Sequence, residues 1–447
     1  MTPGIHLRKR RLAAALGVAA TALAAALLPG ASLADSSSSK PPYLRSVSDD
    51  DFGTRLTRIT GDPGRPLGRV DGRWGKDARH VYSKQQPWSA DQKLFFVENR
   101  EGGRPSALLL DGTTFEPVAG LCAGDALYES RWHPSREHAR ERIGVDREGE
   151  HLVWMDVLSC RVTRSWDLPI DVDGIGSGEG NPSRDGRFVA LGHDSRVFVV
   201  DMDPKPPFAP YPARRIGPAY QLPDPEFESG MRVTNLSVSP SGRYVDVKYS
   251  GKTHETQDLH RILEVDPQTL ELRPHHMAQA SLRCDPVSGR TDGWVFPVKH
   301  ADMTIDPADG EDVLVGGRSC PSSSIGHVVK IRLKDGRVTP LTDGRTEASV
   351  SHVSARNVDR PGWVYVTYFY EDGKHGSDEI LAVPLNGSGT VEKWAHTMTA
   401  AEGCYRCEAH AVPSPDGRRV AFASNWKGPG GEGDGAGGIE DYVVTRP

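Results

Sequence analysis

Residues 410–426 read HAVPSPDGRRVAFASNW, and how this stretch is read decides the fold. In its middle, Ser-Pro-Asp-Gly makes a tight turn: proline presets φ, and Asp-Gly supplies the left-handed residue. Val420 and Phe422 follow at alternate positions, the period of a strand with one buried face. The unit is a strand, a turn and a second strand, with His410 opening the first. What the histidine does depends on how often the unit recurs.

It recurs six more times, as QPWSADQKLFFVEN (86–99), RWHPSREHARERIGVD (131–146), GEGNPSRDGRFVALGHD (178–194), TNLSVSPSGRYVDVKYS (234–250), HADMTIDPADGEDVLVGG (300–317) and HVSARNVDRPGWVYVTYF (352–369). The copies start roughly 45 to 65 residues apart, the spacing of four-stranded propeller blades. Further hairpins follow several copies, such as RVFVVDMDP (196–204) and VVKIRLKDGRVTPLTDG (328–344). The last copy is followed only by DYVVTRP (441–447), one strand short of four, and TRLTRIT (54–60) is available to complete it. The expected fold is all-β: a seven-bladed β-propeller over residues 51–447, closed by an N-terminal strand in the last blade, which leaves no exposed edge.

In such a ring the innermost strand of each blade lines a central channel. Aligned on the turn, the channel positions are Gln85, Arg131, Glu179, Asn235, His300, His352 and His410, all polar or ionisable. Histidine at three successive positions is unusual in a chain with 16 histidines. Converging imidazoles make a divalent-metal site with open coordination positions; alternatively they are hydrogen-bonded channel histidines that order water. His80, Tyr82, Gln85 and Trp88 crowd the approach to the first blade, and His133 stands beside Arg131 and Trp132. No nucleophile-elbow, zinc-protease, P-loop or dinucleotide motif occurs in a suitable context.

Residues 1–34 are set apart. Arg8, Lys9, Arg10 and Arg11 precede an apolar run ending in small residues, so a secretory signal peptide cut after Ala34 is expected, with residues 35–50 as a flexible lead-in. The expected location is secreted or periplasmic. Removing the four basic residues of that segment moves the net charge from −6 to −10, which argues against nucleic acid as a partner. No later apolar run approaches the roughly 20 residues of a bilayer span, so no membrane insertion is expected. Six cysteines in an exported chain suggest disulfides, with Cys122–Cys160 and Cys284–Cys320 as the expected long pairs. Cys404 and Cys407 form either a local disulfide, a metal site with His410, or free thiols.

KHADMTIDPADG (299–310), VSHVSARN (350–357), EAHAVPSPDG (408–417) and YSKQQPWSADQKLFF (82–96) together resemble the oligogalacturonate lyases and the wider group of propeller polysaccharide lyases. Generic TolB-type propeller repeats share only the SPDG part. The resemblance implies a manganese ion on His300, His352 and His410, with zinc or calcium as alternatives. Two positions depart from the family: Ser349 stands where a glutamine ligand is expected, and Asn235 where the family has an arginine base.

The implied activity is metal-assisted β-elimination on acidic oligo- or polysaccharides containing uronic acid. It requires neutralising a carboxylate and removing the neighbouring C5 proton. Expected catalytic residues are His133, Tyr82, Arg131 and His80, and expected substrate-binding residues are Gln85, Trp88, Trp132 and Asn235. The rival readings are a non-catalytic TolB-like binding propeller and a glycoside hydrolase on the same scaffold.

Overall fold

The turns read from the sequence share one wiring. In Ser414–Gly417 the glycine N–H donates to the Ser414 carbonyl oxygen at 2.8 Å. The Ser414 hydroxyl donates to Asp416 at 2.6 Å, and Arg419 N–H donates back to the Ser414 hydroxyl oxygen at 3.1 Å. Ser183–Gly186 and Ser239–Gly242 close the same way, at 2.9 and 2.8 Å. The three glycines have φ of +65°, +73° and +80°, where a side chain would be strained.

The computed structural model describes residues 40–122, 127–202, 215–222, 232–250, 257–277, 294–295, 298–318, 327–342, 347–400, 404–426 and 438–446. The expected signal peptide, Cys284 and Cys320 lie outside these residues.

Each turn leads into an antiparallel sheet. Tyr128–Trp132, Glu141–Val145, His151–Asp156 and Arg161–Asp167 form one four-stranded sheet; Val298–Ile305, Asp312–Arg318, Val328–Arg332 and Val338–Pro340 form another. Val350–Ser354, Trp363–Tyr368, Glu379–Pro384 and Glu392–His396 form a third. Two sheets with short, split outer strands are built on Phe188–His193 and on Arg232–Val238. Nine more strands make one sheet that joins the two ends of the chain, held together by a parallel contact between Asp77–Arg79 and Ile439–Thr445. Divided at that contact, the described strands fall into seven groups in chain order. The fold is a β-propeller, and among the described residues its only helices are short 3-10 turns.

Closure follows the expected route. Thr54–Arg58 pairs antiparallel with Ile439–Thr445, from Arg55 opposite Thr445 to Arg58 opposite Tyr442. The lead-in is shorter than expected, because Ser46–Asp49 is already a strand paired with Thr54–Thr57.

The core is a series of apolar layers between neighbouring sheets. In one layer Val313 and Val315 of one sheet pack against Val353, Val364 and Val366 of the next, all fully buried. In another, Trp154 of one sheet meets Phe198 of the next. Alternate residues of each strand face opposite layers, so each sheet contributes to two cores. This leaves the first segment of every sheet facing the axis. There Gln86 of the first sheet donates to the carbonyl oxygens of Arg356 and Pro413, which belong to the last two.

Candidate metal site

Irregular backbone aims the channel histidines. The pairing register slips between Lys299 and Asp302, and again between Val350 and His352, the mark of a β-bulge. His300 and His410 have φ of +46° and +48°, a left-handed conformation rare outside glycine and concentrated at functional sites. Bulges at equivalent places before Arg131 and Asn235 show that the device is repeated around the ring.

The three histidines meet. The rings of His300 and His352 stack with centroids 4.2 Å apart, and those of His352 and His410 lie edge to face at 4.2 Å. Glu408, absent from the expected set, joins them: one Oε2 lies 3.6 Å from His352 Nδ1 and 3.6 Å from His410 Nε2. Donor atoms of His352, Glu408 and His410 all fall within 4.8 Å of one another. His300 stands beside this triad, with Nδ1 hydrogen-bonded to the Ser351 carbonyl oxygen. In that bond Nδ1 is the donor, since a carbonyl oxygen only accepts.

Three buried atoms test whether this set suits an ion. His352 Nε2, His410 Nε2 and Glu408 Oε2 have no hydrogen-bond partner. Orphaned buried polar atoms are costly, and a cation between Glu408 and His410 would satisfy two of them; the His352 nitrogen facing Glu408 is Nδ1, which also meets the Ser351 hydroxyl at 2.8 Å. Burial, reinforced by neighbouring imidazoles and by Lys84 and Arg79, pushes His352 and His410 well below the usual histidine pKa, so both rings are neutral. Glu408 is pushed up to about 7 by burial, opposed by Arg79. The set fits a divalent ion. Two imidazoles beside one carboxylate suit manganese or zinc and argue against calcium, which prefers oxygen throughout.

A supporting layer holds this group. Arg79 donates to His410 Nδ1 and to the carbonyl oxygens of Arg406, Glu408 and Val81. In that tautomer Nε2 carries the ring proton, so ligation of an ion by His410 Nε2 requires the proton to move to Nδ1 and the Arg79 contact there to open. His80 is fully buried; its ring nitrogens face Asp441 Oδ1 at 2.7 Å and the His410 carbonyl oxygen at 2.8 Å. It therefore braces His410 and has no nitrogen left for a substrate, contrary to the catalytic role expected of it.

The cavity that His410 reaches is walled by Tyr82, Gln85, Glu179 and Tyr405 among others. The Tyr82 ring lies 5.1 Å from His352 and 4.7 Å from His410. Gln85 Nε2 donates to the Gly178 carbonyl oxygen at 2.7 Å. Burial would raise the Glu179 pKa, but Lys84 at 2.8 Å and Lys248 at 3.7 Å hold it down at about 2. Asn235 is buried at its bulge with Oδ1 unpartnered.

Other expected residues lie elsewhere. His133, Trp88, Trp132 and Arg131 line a different cavity. Along each inner segment the earlier residues wall the histidine cavity and the later ones this second cavity: Glu129 then His133, Glu179 then Asn181, His410 then Pro415. The two cavities are thus at opposite ends of the channel. Trp88 and Trp132 are buried, donating to the carbonyl oxygens of Gly112 and Pro87, so neither ring is free to stack on a sugar. Arg131 spends its guanidinium on the carbonyl oxygens of Gly180, Ser130, Ile175 and Gly178. The pairs Cys122–Cys160 and Cys404–Cys407 are disulfides, so the latter thiols bind no metal.

No family model and no curated protein sequence matches this chain. Solved structures do. A structure described as oligogalacturonate lyase in complex with manganese is 14% identical, with a TM-score of 0.53 over 91% of this chain and 97% of its own. An oligogalacturonate lyase from Vibrio parahaemolyticus is 13% identical, with a TM-score of 0.50 over 90% of this chain and 96% of its own. Across nine-tenths of its length, then, this chain has the propeller fold seen in oligogalacturonate lyase structures.

Proposed function

We propose that this chain is a secreted lyase that cleaves uronic-acid-containing oligo- or polysaccharides by β-elimination in the cavity that His410 reaches, beside His352 and Glu408. One observation carries the reading: His352, Glu408 and His410 meet at one end of the channel, each with a buried polar atom lacking a hydrogen-bond partner, and His300 stacks beside them, in a chain with the propeller fold of a manganese-bound oligogalacturonate lyase. The two disulfides support an oxidising compartment. Among the described residues, no helix is long and apolar enough to cross a membrane.

His352, Glu408 and His410, joined by His300, would hold the divalent ion. When bound, it supplies Lewis-acid neutralisation of the uronate carboxylate, which acidifies the C5 proton. Tyr82, beside both ligand rings, is the proton-transfer residue. Tyr82, as its phenolate, would accept the C5 proton; as the C5–H electron pair becomes the C4–C5 double bond the C4–O bond breaks, and the leaving oxygen takes that proton from Tyr82. Gln85 and Asn235 orient the sugar, and Lys84 and Lys248 offset the fixed charge of Glu179.

Fragments of pectin, ulvan, gum arabic and glycosaminoglycans, screened with manganese for an ultraviolet-absorbing unsaturated product, test the reading. His352→Ala is expected to lose both bound metal and product absorbance. Activity unchanged by that substitution overturns the metal role.

A further inference from the structure

The second cavity, at the far end of the channel, takes no part in this chemistry, yet two of its polar groups, His133 and Arg184, retain unused donors. It encloses about 120 Å³, room for one small ligand. His133 is 1% exposed, and its Nδ1 accepts from the Ser135 N–H at 3.1 Å. The neutral ring therefore carries its proton on Nε2, and that N–H meets no acceptor among the described residues. Burial, with His138 and Arg164 nearby, holds the ring neutral by lowering its pKa to about 3.

Four guanidiniums stand around the same cavity, and three are spoken for. Arg131 is held by the carbonyl oxygens of Gly180, Ser130, Ile175 and Gly178 and lies 4.0 Å from Glu129. Arg356 is paired with Asp302 through both of its terminal contacts, at 2.8 and 3.0 Å. Arg136 is paired with Asp359 at 2.8 Å. Arg184 donates only to the Val358 carbonyl oxygen, and among the described residues no carboxylate pairs with it. The remaining wall mixes apolar residues, among them Pro134, Pro182, Val358 and Pro415, with Gln86, Asn181, Ser183 and Asp359, the last already paired with Arg136.

We infer that this cavity is a second ligand site, which takes a small monocarboxylate with a flat or apolar body. Its carboxylate oxygens would accept from Arg184 and from His133 Nε2–H, and its body would lie against Pro134, Pro182 and Pro415. A single unpaired cation and a single neutral donor match one carboxylate, whereas a phosphate dianion would leave charge uncompensated.

Calorimetric titration of the full-length mature protein, loaded with manganese, tests this with benzoate and D-glucuronate as probes and benzamide as the uncharged control. Binding of at least one acid at millimolar concentration or tighter is expected, with benzamide at least tenfold weaker. Benzoate binding without glucuronate would mark an aromatic acid site, and the reverse a sugar-acid site. Arg184→Gln, at an exposed position, and His133→Phe should each weaken the binding about tenfold, the worth of one charge-assisted hydrogen bond. His352→Ala should leave benzoate binding unchanged, because that residue lies at the opposite end, whereas glucuronate held at the metal site would be lost with it. The inference fails if neither acid binds, if benzamide binds as well as the acids, or if binding survives both substitutions in this cavity but not His352→Ala.

Discussion

Glu408 shows what a one-residue view of a motif can hide. It stands two residues before His410 in an extended stretch, with φ −61° and ψ 137°, so the two side chains project to the same side. The sequence offered that spacing within EAHAVPSPDG, but a search restricted to one channel position per blade passes over the carboxylate. Tyr82 is the complementary case: legible as part of a dense polar and aromatic cluster, it does lie against the ligand rings. Because it touches those rings without belonging to the donor set, its removal should separate chemistry from metal binding. Tyr82→Phe is expected to retain manganese while kcat falls by roughly 10²-fold or more, the usual contribution of a general acid or base. Inductively coupled plasma analysis and initial rates on the best substrate of the screen check this. Near-normal kcat in the variant would remove Tyr82 from the proton transfer.

At the scale of the strand, the repeat told which sheet each residue belongs to but not how deep it lies along the channel. A strand rises about 3.3 Å per residue, so the three-residue step from Glu129 to Trp132 moves a side chain about 10 Å. That step separates the two cavities, and it is why His133, Trp88 and Trp132 were expected beside the histidines and are found at the other end. The bulges add a residue inside several inner strands, an irregularity with no fixed sequence signature.

The hairpin Glu379–Pro384 to Glu392–His396 carries its own test. Asp378 at its base accepts from the Thr397 hydroxyl and from Met398 N–H at 2.9 Å. Burial raises its pKa to about 6, against the opposing pull of Thr397 and His396. The folded state therefore binds this proton more tightly than the unfolded chain does. Its stabilising contribution is full below the unfolded value of 3.8 and is lost as pH rises through about 6. Between pH 5 and 7.5 this group should cost about 1–2 kcal/mol. Asp378→Asn, whose amide can still accept from Met398 N–H and donate to Thr397, should flatten that difference in urea unfolding. An identical pH dependence in both proteins would refute the assignment.

On the scale of the whole ring, closure and site are mechanically continuous. Thr54–Arg58 covers the edge of Ile439–Thr445, and Lys40 and Arg58 pair with Glu440, whose side chain is buried. The next residue, Asp441, receives the Ile59 N–H on its carbonyl oxygen at 2.9 Å and holds His80, which in turn holds the backbone of His410. Pairing of the chain ends was legible because the last repeat lacks a strand; this relay was not, because it depends on side chains brought together only by the closed ring. Deleting residues through Thr60 would bare the strand edge and leave Glu440 without its cations, a loss worth about 3–5 kcal/mol for a broken buried pair. The deletion protein is therefore expected to lose its single cooperative unfolding transition, to associate as its concentration rises, and to bind manganese more weakly. A protein beginning just before Lys40 should match the mature chain in all three. Scanning calorimetry, light scattering and metal titration on the two truncations decide the matter: if the longer deletion unfolds as one unit and keeps its affinity for manganese, the N-terminal strand is dispensable and the ring is held shut by the parallel contact between Asp77–Arg79 and Ile439–Thr445.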